Sequence, residues 1–174
     1  MKEKTVFYLF ILMMLCSSCK DKKTYVVEGQ IEGVENSLIA LVTYVGDDIR
    51  IDSVYAEDGK FTYTSSFYDT ISPIEINMKQ GDVWITAWVK NGEKIKISGN
   101  VDNPELVEIK GNEVNELLTK FRQNNKKIIE EKNDLEDKIK CLQTAENDSG
   151  YLITSESYFS QKNALEQSLM IKAS

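Results

Sequence analysis

Short runs of alternating apolar and polar residues fill the chain between residues 25 and 110. These runs are rich in Val, Ile, Thr and Tyr, and Gly, Asn and Asp residues separate them. A period of two is typical of strands that bury one face, and turn signals at regular intervals are typical of sandwiches and barrels. The pattern therefore predicts a mainly β domain over residues 25–110, an antiparallel β-sandwich or flattened barrel.

The dipeptide Asn91-Gly92 predicts a tight hairpin, because both central residues of a type I′ turn need a positive φ. Closing this hairpin places Trp84, Trp88 and Ile95 on one face, whereas lysines line the other face. Aromatic residues at strand spacing usually pack in a core. Both tryptophans are therefore predicted to be core residues and not a platform for a ligand.

The dipeptide Asp58-Gly59 predicts a hairpin of the same kind. Its closure places Ala56 opposite Phe61 and Val54 opposite Tyr63 on the apolar face. Each predicted hairpin thus has one apolar side and one mixed side, as the layers of a sandwich require.

From residue 111 onward the apolar residues recur at spacings of four and three, which is the pattern of a helix with a heptad seam. Asn125 and Lys132 are polar members of this seam, and such residues fix register or partner in a coiled coil. Two interpretations stay open: the helix packs on the next helix of its own chain, or the chain self-associates through the seam. With a turn signal at residues 146–151, the pattern predicts a C-terminal α-helical hairpin over residues 111–174. The seam comprises Val114, Leu118, Phe121, Asn125, Ile128, Lys132, Leu135, Ile139 and Leu142.

The first eighteen residues have the build of a lipoprotein signal peptide. Lys2 and Lys4 precede an apolar stretch over residues 5–16, which is too short to span a bilayer. Small serines then lead to Cys19, as in a bacterial lipobox, and residues 19–24 form a charged tether. We expect Cys19 to carry lipid, which would hold the protein on the membrane. A simple cleaved signal peptide and a redox C-x-x-C motif are the alternatives, and no helix-and-strand pattern follows to support the redox motif.

Composition excludes several functions. The net charge of −7 gives no electrostatic attraction to phosphate backbones, so we expect no nucleic-acid partner. The chain has no histidine, which removes Ser-His-Asp catalysis and His-ligated zinc. Beyond the predicted signal peptide and Cys19, Cys141 is the one remaining thiol, and it cannot form an internal disulfide by itself. We therefore predict no catalytic residues, no metal site and no cofactor.

Three motifs carry a resemblance to a known family: an I-D-S strand, a D-G-K-F turn, and the G-x-x-x-N entry to the helix at Gly111 to Asn115. Residues 24–122 resemble the N-terminal domain of unknown function 4369 of Bacteroidetes lipoproteins. In those proteins a thioredoxin-like, AhpC/TSA-type domain follows, and residues beyond 111 resemble the connector to it. The redox C-x-x-C of the relatives lies beyond the connector and is not reached here. The resemblance therefore transfers no catalytic residue, whether the chain is a shortened relative or a module that stands alone.

The resemblance also implies a location and a modification. We expect a lipid-anchored protein in the envelope of a Gram-negative bacterium, on the outer membrane facing the periplasm or the cell surface. Asp52-Ser53-Val54 and Asp69-Thr70-Ile71 resemble the O-glycosylation sequence of Bacteroidetes periplasmic proteins, which makes Ser53 and Thr70 candidate glycosylation sites.

Three functional hypotheses follow. The first is a non-catalytic envelope lipoprotein that binds or positions a partner, such as a thioredoxin-like protein. The second is a β-sandwich that binds glycan or peptide, which needs exposed aromatic side chains. The third is a thiol enzyme that uses Cys141, although a lone cysteine near a heptad seam usually serves packing.

Overall fold

The computed structural model describes residues 23–78, 83–144 and 150–173, and within them the chain forms eight strands followed by three α-helices. A short 3-10 turn at Pro104–Leu106 precedes the last strand. The strands are β1 (Tyr25–Glu32), β2 (Ser37–Val45), β3 (Asp48–Ala56), β4 (Lys60–Ser65), β5 (Ser72–Met78), β6 (Val83–Val89), β7 (Lys94–Asn100) and β8 (Glu108–Lys110), and the helices are α1 (Glu113–Asn124), α2 (Lys126–Thr144) and α3 (Gly150–Ala173).

The strands form two four-stranded sheets, which confirms the predicted mainly β sandwich. The first sheet has the order β4-β1-β7-β8 and the second has the order β3-β2-β5-β6. In the described residues no pairing joins the two sheets into a closed barrel. Every pair of neighbouring strands is antiparallel except β1 and β7, which run parallel.

The core lies between the sheets and takes alternate residues from each strand. In β1, for example, Tyr25, Val27 and Ile31 are fully buried while the residues between them face outward. The gap in this series is Gly29, where an added Cβ would lie 1.9 Å from the ring of Phe61. The ring therefore occupies the space that a side chain at position 29 would need. Strands β2, β5 and β6 contribute Ile39, Leu41, Ile74, Ile76, Ile85, Ala87 and Val89 to the same core.

The predicted hairpin at Asn91-Gly92 is wrong. Its two strands, β6 and β7, belong to different sheets, so Trp88 lies opposite Pro73 of β5 instead of Ile95. Gly92 has a φ of 91°, but Asn91 does not have a positive φ, so the turn is not type I′. Because the chain crosses from sheet to sheet at this turn, the core-facing residues of both strands reach one core.

The tryptophan prediction fails for the same reason. Ile85, Ala87 and Val89 are the buried residues of β6. Trp84 lies on the opposite side of the strand and is 51% exposed, and Trp88 is half-buried. The alternation separates the two faces of the strand correctly, but it does not tell which of them meets the core.

The turn at Asp58-Gly59 has the predicted type I′ character, with φ angles of 49° and 73°. Ladder pairing stops after Glu57 and Lys60, because β3 and β4 also enter different sheets. The predicted apolar face is nevertheless the buried one, since Phe61 is 5% exposed and Tyr63 is 8% exposed.

The predicted heptad helix is interrupted at Asn125. Its backbone N–H donates to the carbonyls of Phe121 and Arg122, and its side-chain amide donates to the Phe121 carbonyl at 2.9 Å. Helix α1 therefore ends at Asn124 and α2 begins at Lys126. The other polar seam residue, Lys132, forms an ion pair of 2.7 Å with Glu105. Both polar residues thus have partners within their own chain.

Helices α2 and α3 pack against each other as a helical pair. Lys162 of α3 forms an ion pair of 2.9 Å with Glu136 of α2. Most of the predicted turn at residues 146–151 lies outside the described residues. Residues 1–22, which include Cys19, also lie outside them. Within the described part of the chain, none of the helices combines the length and the apolar content that a bilayer crossing requires.

Candidate functional site

The outer face of the second sheet is the surface that faces away from the core, and it exposes an unusual number of large apolar side chains. Monomeric proteins rarely expose a contiguous apolar surface of this kind, and such surfaces often mark interaction sites. We call this surface the apolar face. Its exposed members are Leu38 at 66%, Tyr44 at 41%, Ile49 at 64%, Ile51 at 69%, Tyr55 at 59% and Trp84 at 51%.

The register of β2 and β3 brings all of these side chains together except Trp84, which lies on β6 opposite Asn77 of β5. Leu38 of β2 lies opposite Tyr55 of β3, and Tyr44 lies opposite Ile49 in the same strand pair. Between these two rows, Val42 lies opposite Ile51. Directly opposed side chains on one sheet face are close enough to contact each other. Except for Ser53, which lies opposite Ala40, the outward-facing residues of the β2–β3 ribbon are therefore apolar over these rows.

Glu75 of β5 adds one carboxylate to the apolar face. It accepts a hydrogen bond of 3.0 Å from the Tyr44 hydroxyl. This hydrogen bond, together with a smaller effect of desolvation, raises the pKa of Tyr44. The Tyr44 backbone is fixed as well, because the Tyr68 hydroxyl accepts from its N–H at 2.7 Å and donates to its carbonyl at 2.9 Å. Tyr44 is thus held in place at both its hydroxyl and its backbone.

The outer face of the first sheet has a different chemistry. Lys94 forms an ion pair of 2.6 Å with Glu28, and Lys110 forms one of 2.8 Å with Glu108. A groove of about 840 Å³ runs across this surface, lined mainly by polar side chains, with Tyr55 at one end. Because both signs of charge alternate along the groove, it offers no patch of a single sign to a charged ligand.

Helix α1 packs along the side of the sandwich where β6 and β8 are the edge strands of the two sheets. Asn115, 1% exposed, accepts a hydrogen bond from the N–H of Trp88 at 2.9 Å and donates to its carbonyl at 2.7 Å. One turn later the Thr119 hydroxyl accepts from the N–H of Ile109 at 3.0 Å and donates to its carbonyl at 3.1 Å. Each side chain satisfies both backbone groups of one edge residue, as a neighbouring strand would do.

Sequence reasoning missed this arrangement because it assigned the packing to the apolar seam. On α1 the buried residues are Asn115 and Thr119, whereas the seam residues Val114, Leu118 and Phe121 are only half-buried. The available signal was the i, i+4 spacing of the two polar residues, which places them on one helix face.

Sequence reasoning also missed the apolar face, although the sequence of β2 contains a signal for it. This strand reads SLIALVTYV, with apolar residues at both alternate sets of positions. In a sandwich only one of the two sets can face the core. Such a strand therefore exposes apolar residues unless another layer covers them.

The predicted modification sites are placed as follows. Ser53 is exposed on the apolar face, between Ile51 and Tyr55 along β3, and Thr70 is exposed in the loop before β5. Cys141 is exposed on α2. Cys19 lies outside the described residues. In the described part of the chain, no three acidic or cysteine side chains lie close enough together to hold a metal ion.

A comparison with family models identifies a family for this chain. The model described as "Domain of unknown function (DUF4369)" matches residues 25–118, which is more than half of the chain. The chain belongs to the DUF4369 family. No curated protein and no solved structure matches it. The DUF4369 match extends from the first strand into α1 and includes the three motifs that carried the resemblance.

Each of these motifs has a structural role in this DUF4369 domain. In the I-D-S strand, Asp52 accepts a hydrogen bond of 2.6 Å from the Tyr63 hydroxyl. Burial, and next this hydrogen bond, raise the pKa of Tyr63 well above its usual range. In the D-G-K-F turn, an added Cβ at Gly59 would lie 2.1 Å from the carbonyl oxygen of Ile31.

The third motif opens helix α1. Gly111 has a φ of 120°, and an added Cβ would lie 2.2 Å from the carbonyl oxygen of Lys94. Asn112 caps the helix by accepting a hydrogen bond of 3.0 Å from the N–H of Asn115. The motif thus places Asn115 where it seals the edge of β6.

Proposed function

We propose that this chain is a lipid-anchored module of the cell envelope that binds and positions a partner protein through the apolar face, without catalysing a reaction itself. The observation that carries the proposal is the exposure of Leu38, Ile49, Ile51 and Tyr55 side by side on one sheet. Burying one large apolar side chain contributes about 1.5–3 kcal/mol. Covering these residues would therefore offset much of the free-energy cost of association.

The anchor and the absence of catalysis are inferred from the sequence. The apolar stretch before Cys19 directs the chain to the envelope, and lipid on Cys19 would hold it there. The chain has no histidine to act as a general base. We place the protein on the outer membrane facing the periplasm, with the cell surface as the alternative.

The partner we propose is a thioredoxin-like protein of the envelope. The support is the resemblance described above, since lipoproteins of this type carry a thioredoxin-like domain after the connector. A surface whose exposed side chains are mainly apolar suits a protein partner better than a charged ligand.

Site-specific photo-crosslinking in native envelopes tests the proposal. A photoreactive residue at Leu38, 66% exposed on the apolar face, should capture one defined partner, identified by mass spectrometry. The matched control is Thr62, which is exposed on the outer face of the first sheet. Capture of nothing at Leu38, of this chain alone, or of the same products from both positions would contradict the proposal.

Exposed aromatic side chains favour a second candidate function, the binding of glycan or peptide. Tyr44, Tyr55 and Trp84 all lie on the apolar face, and aromatic rings can stack on sugars and peptides. A glycan or peptide library should then raise the melting temperature of the protein. Tyr55→Ala should remove that shift, whereas Thr62→Ala should keep it. Absence of any stabilising ligand would argue against this candidate.

A further inference from the structure

The two sides of the sandwich end differently. On one side, β6 and β8 are sealed by Asn115 and Thr119 of α1. On the other side, β3 ends the second sheet, and among the described residues no strand pairs with its outer edge. An edge strand with unpaired N–H and C=O groups is a template for pairing with another chain.

The hydrogen bonds of Tyr44 show which groups face this edge. The N–H and carbonyl of Tyr44 both bind the Tyr68 hydroxyl, so they point away from β3. In an antiparallel ladder, the residue opposite such a position also points its backbone groups outward. That residue is Ile49, and the alternation continues along β3. The backbone groups of Ile49, Ile51, Ser53 and Tyr55 therefore face the free edge.

Strand β3 lacks several of the devices that usually protect an edge. It is nine residues long, contains no proline or glycine, and exposes Ile49 and Ile51. Its charged side chains Arg50 and Asp52 lie at alternate positions on the inner side, a placement that protects many edges, but here the two charges have opposite signs and can pair across the edge. There the Arg50 guanidinium lies 4.7 Å from the ring centre of Phe67, and Asp52 accepts the hydrogen bond from Tyr63.

We propose that this edge pairs antiparallel with the same edge of a second copy of the chain, about a two-fold axis at Ile51. In this register Arg50 of each copy lies opposite Asp52 of the other copy, which gives two cross-strand ion pairs. The two Ile51 residues face each other, and Ile49 faces Ser53. Opposite charges in directly facing positions stabilise a strand pair, and like charges destabilise it.

The neighbouring registers are less favourable. A shift of two residues in one direction places Asp52 opposite Asp52, and a shift in the other direction places Arg50 opposite Arg50. The contacts of Arg50 with Phe67 and of Asp52 with Tyr63 also limit how far these side chains can move to avoid repulsion. A shift of four residues would place Asp48 opposite Arg50, but it would pair only residues 48–50 of each strand, whereas the register about Ile51 pairs residues 48–54. The charges of Arg50 and Asp52 and the length of the ladder therefore together favour the pairing about Ile51.

Pairing of this kind would join two second sheets into one continuous sheet and double the apolar face. The inference concerns the edge of the sheet, and it holds whether or not the apolar face binds another protein. The two ideas can also fail separately, because the charge substitutions described below change no member of the apolar face other than Ile51, which is replaced by cysteine in every variant compared.

Disulfide trapping in native envelopes tests the register. In a Cys141→Ser background, Ile51→Cys should form a dimer on oxidation, because the two positions 51 lie directly opposite each other. Ile49→Cys is the matched control. Its own counterpart is four residues away along the partner strand in this register, so it should form no dimer. A dimer from Ile49→Cys, or none from Ile51→Cys, would overturn the proposal.

Charge reversal tests the ion pairs. With Ile51→Cys present, Arg50→Asp alone or Asp52→Arg alone should lower the trapped dimer on the order of tenfold, since each change replaces two attractions with two repulsions. Co-expression of the two differently tagged variants should restore a mixed dimer, in which every facing pair again has opposite charges. Tyr63→Phe, which removes the hydrogen bond to Asp52 but keeps the charge of Asp52, should trap normally. The proposal would be overturned if either single charge variant trapped as much dimer as Ile51→Cys alone. It would also be overturned if co-expression of the two variants restored no mixed dimer.

Discussion

Replacement of Thr119 by valine tests whether α1 seals the sandwich as the hydrogen bonds indicate. Valine matches threonine in size, so the change removes the hydroxyl and little else. The Thr119 hydroxyl serves both the N–H and the carbonyl of Ile109, and both residues are buried. In Thr119→Val these two backbone groups lose their partner without gaining access to water.

The expected loss follows from the cost of an unsatisfied buried group, which is about 1–3 kcal/mol. Two such groups predict a decrease of about 2–6 kcal/mol in the free energy of unfolding, a large share of the roughly 5–15 kcal/mol typical of a domain. Urea titration followed by tryptophan fluorescence measures this change, since the shift in midpoint at constant slope reports stability.

Thr119→Ser is the matched control, because it keeps the hydroxyl and removes one methyl group. Thr119→Ser should lower the free energy of unfolding by about 1 kcal/mol, close to the contribution of one buried methylene group. The reasoning would be refuted if Thr119→Val lowered the free energy of unfolding by less than about 0.5 kcal/mol, which is the usual effect of a surface substitution. It would also be refuted if serine destabilised the protein as much as valine.

Three further predictions address other parts of the chain. Labelled palmitate should enter the mature protein, and Cys19→Ser should abolish both the label and membrane retention; an unmodified thiol at Cys19 in the mature form would contradict this. Gly59→Ala should lower the free energy of unfolding by at least about 2 kcal/mol, because a Cβ there would lie 2.1 Å from a backbone carbonyl and the φ is 73°. Gly46→Ala, which shares a positive φ but has nothing within 4 Å, should cost clearly less, and equal losses would rule out the steric explanation. The raised pKa of Tyr63 means that the folded state favours the neutral phenol, so its contribution to stability is complete below pH ~10 and declines as the pH rises above that value. In Tyr63→Phe, the free energy of unfolding should therefore decrease less steeply as the pH rises above ~10. An unchanged pH dependence would show that Tyr63 does not cause it.

Local patterns predicted the elements of this protein well. The period of two predicted a sandwich, and the change to spacings of four and three predicted the helices. Asp58-Gly59 has the type I′ geometry that its residue types favour, because that preference is a property of the turn itself. The chemistry proposed for Cys19 likewise depends on residues next to it in the chain.

The sequence by itself thus determined what each segment can form and which side chains share a face. The tertiary structure alone decided which sheet a strand joins, and therefore that Trp84 lies outside the core and Ile85 inside it. It also decided that Asn115 and Thr119 are the buried residues of α1. The physical reason is distance along the chain: Asn115 is 27 residues from the edge strand that it seals, and no local pattern records that pairing.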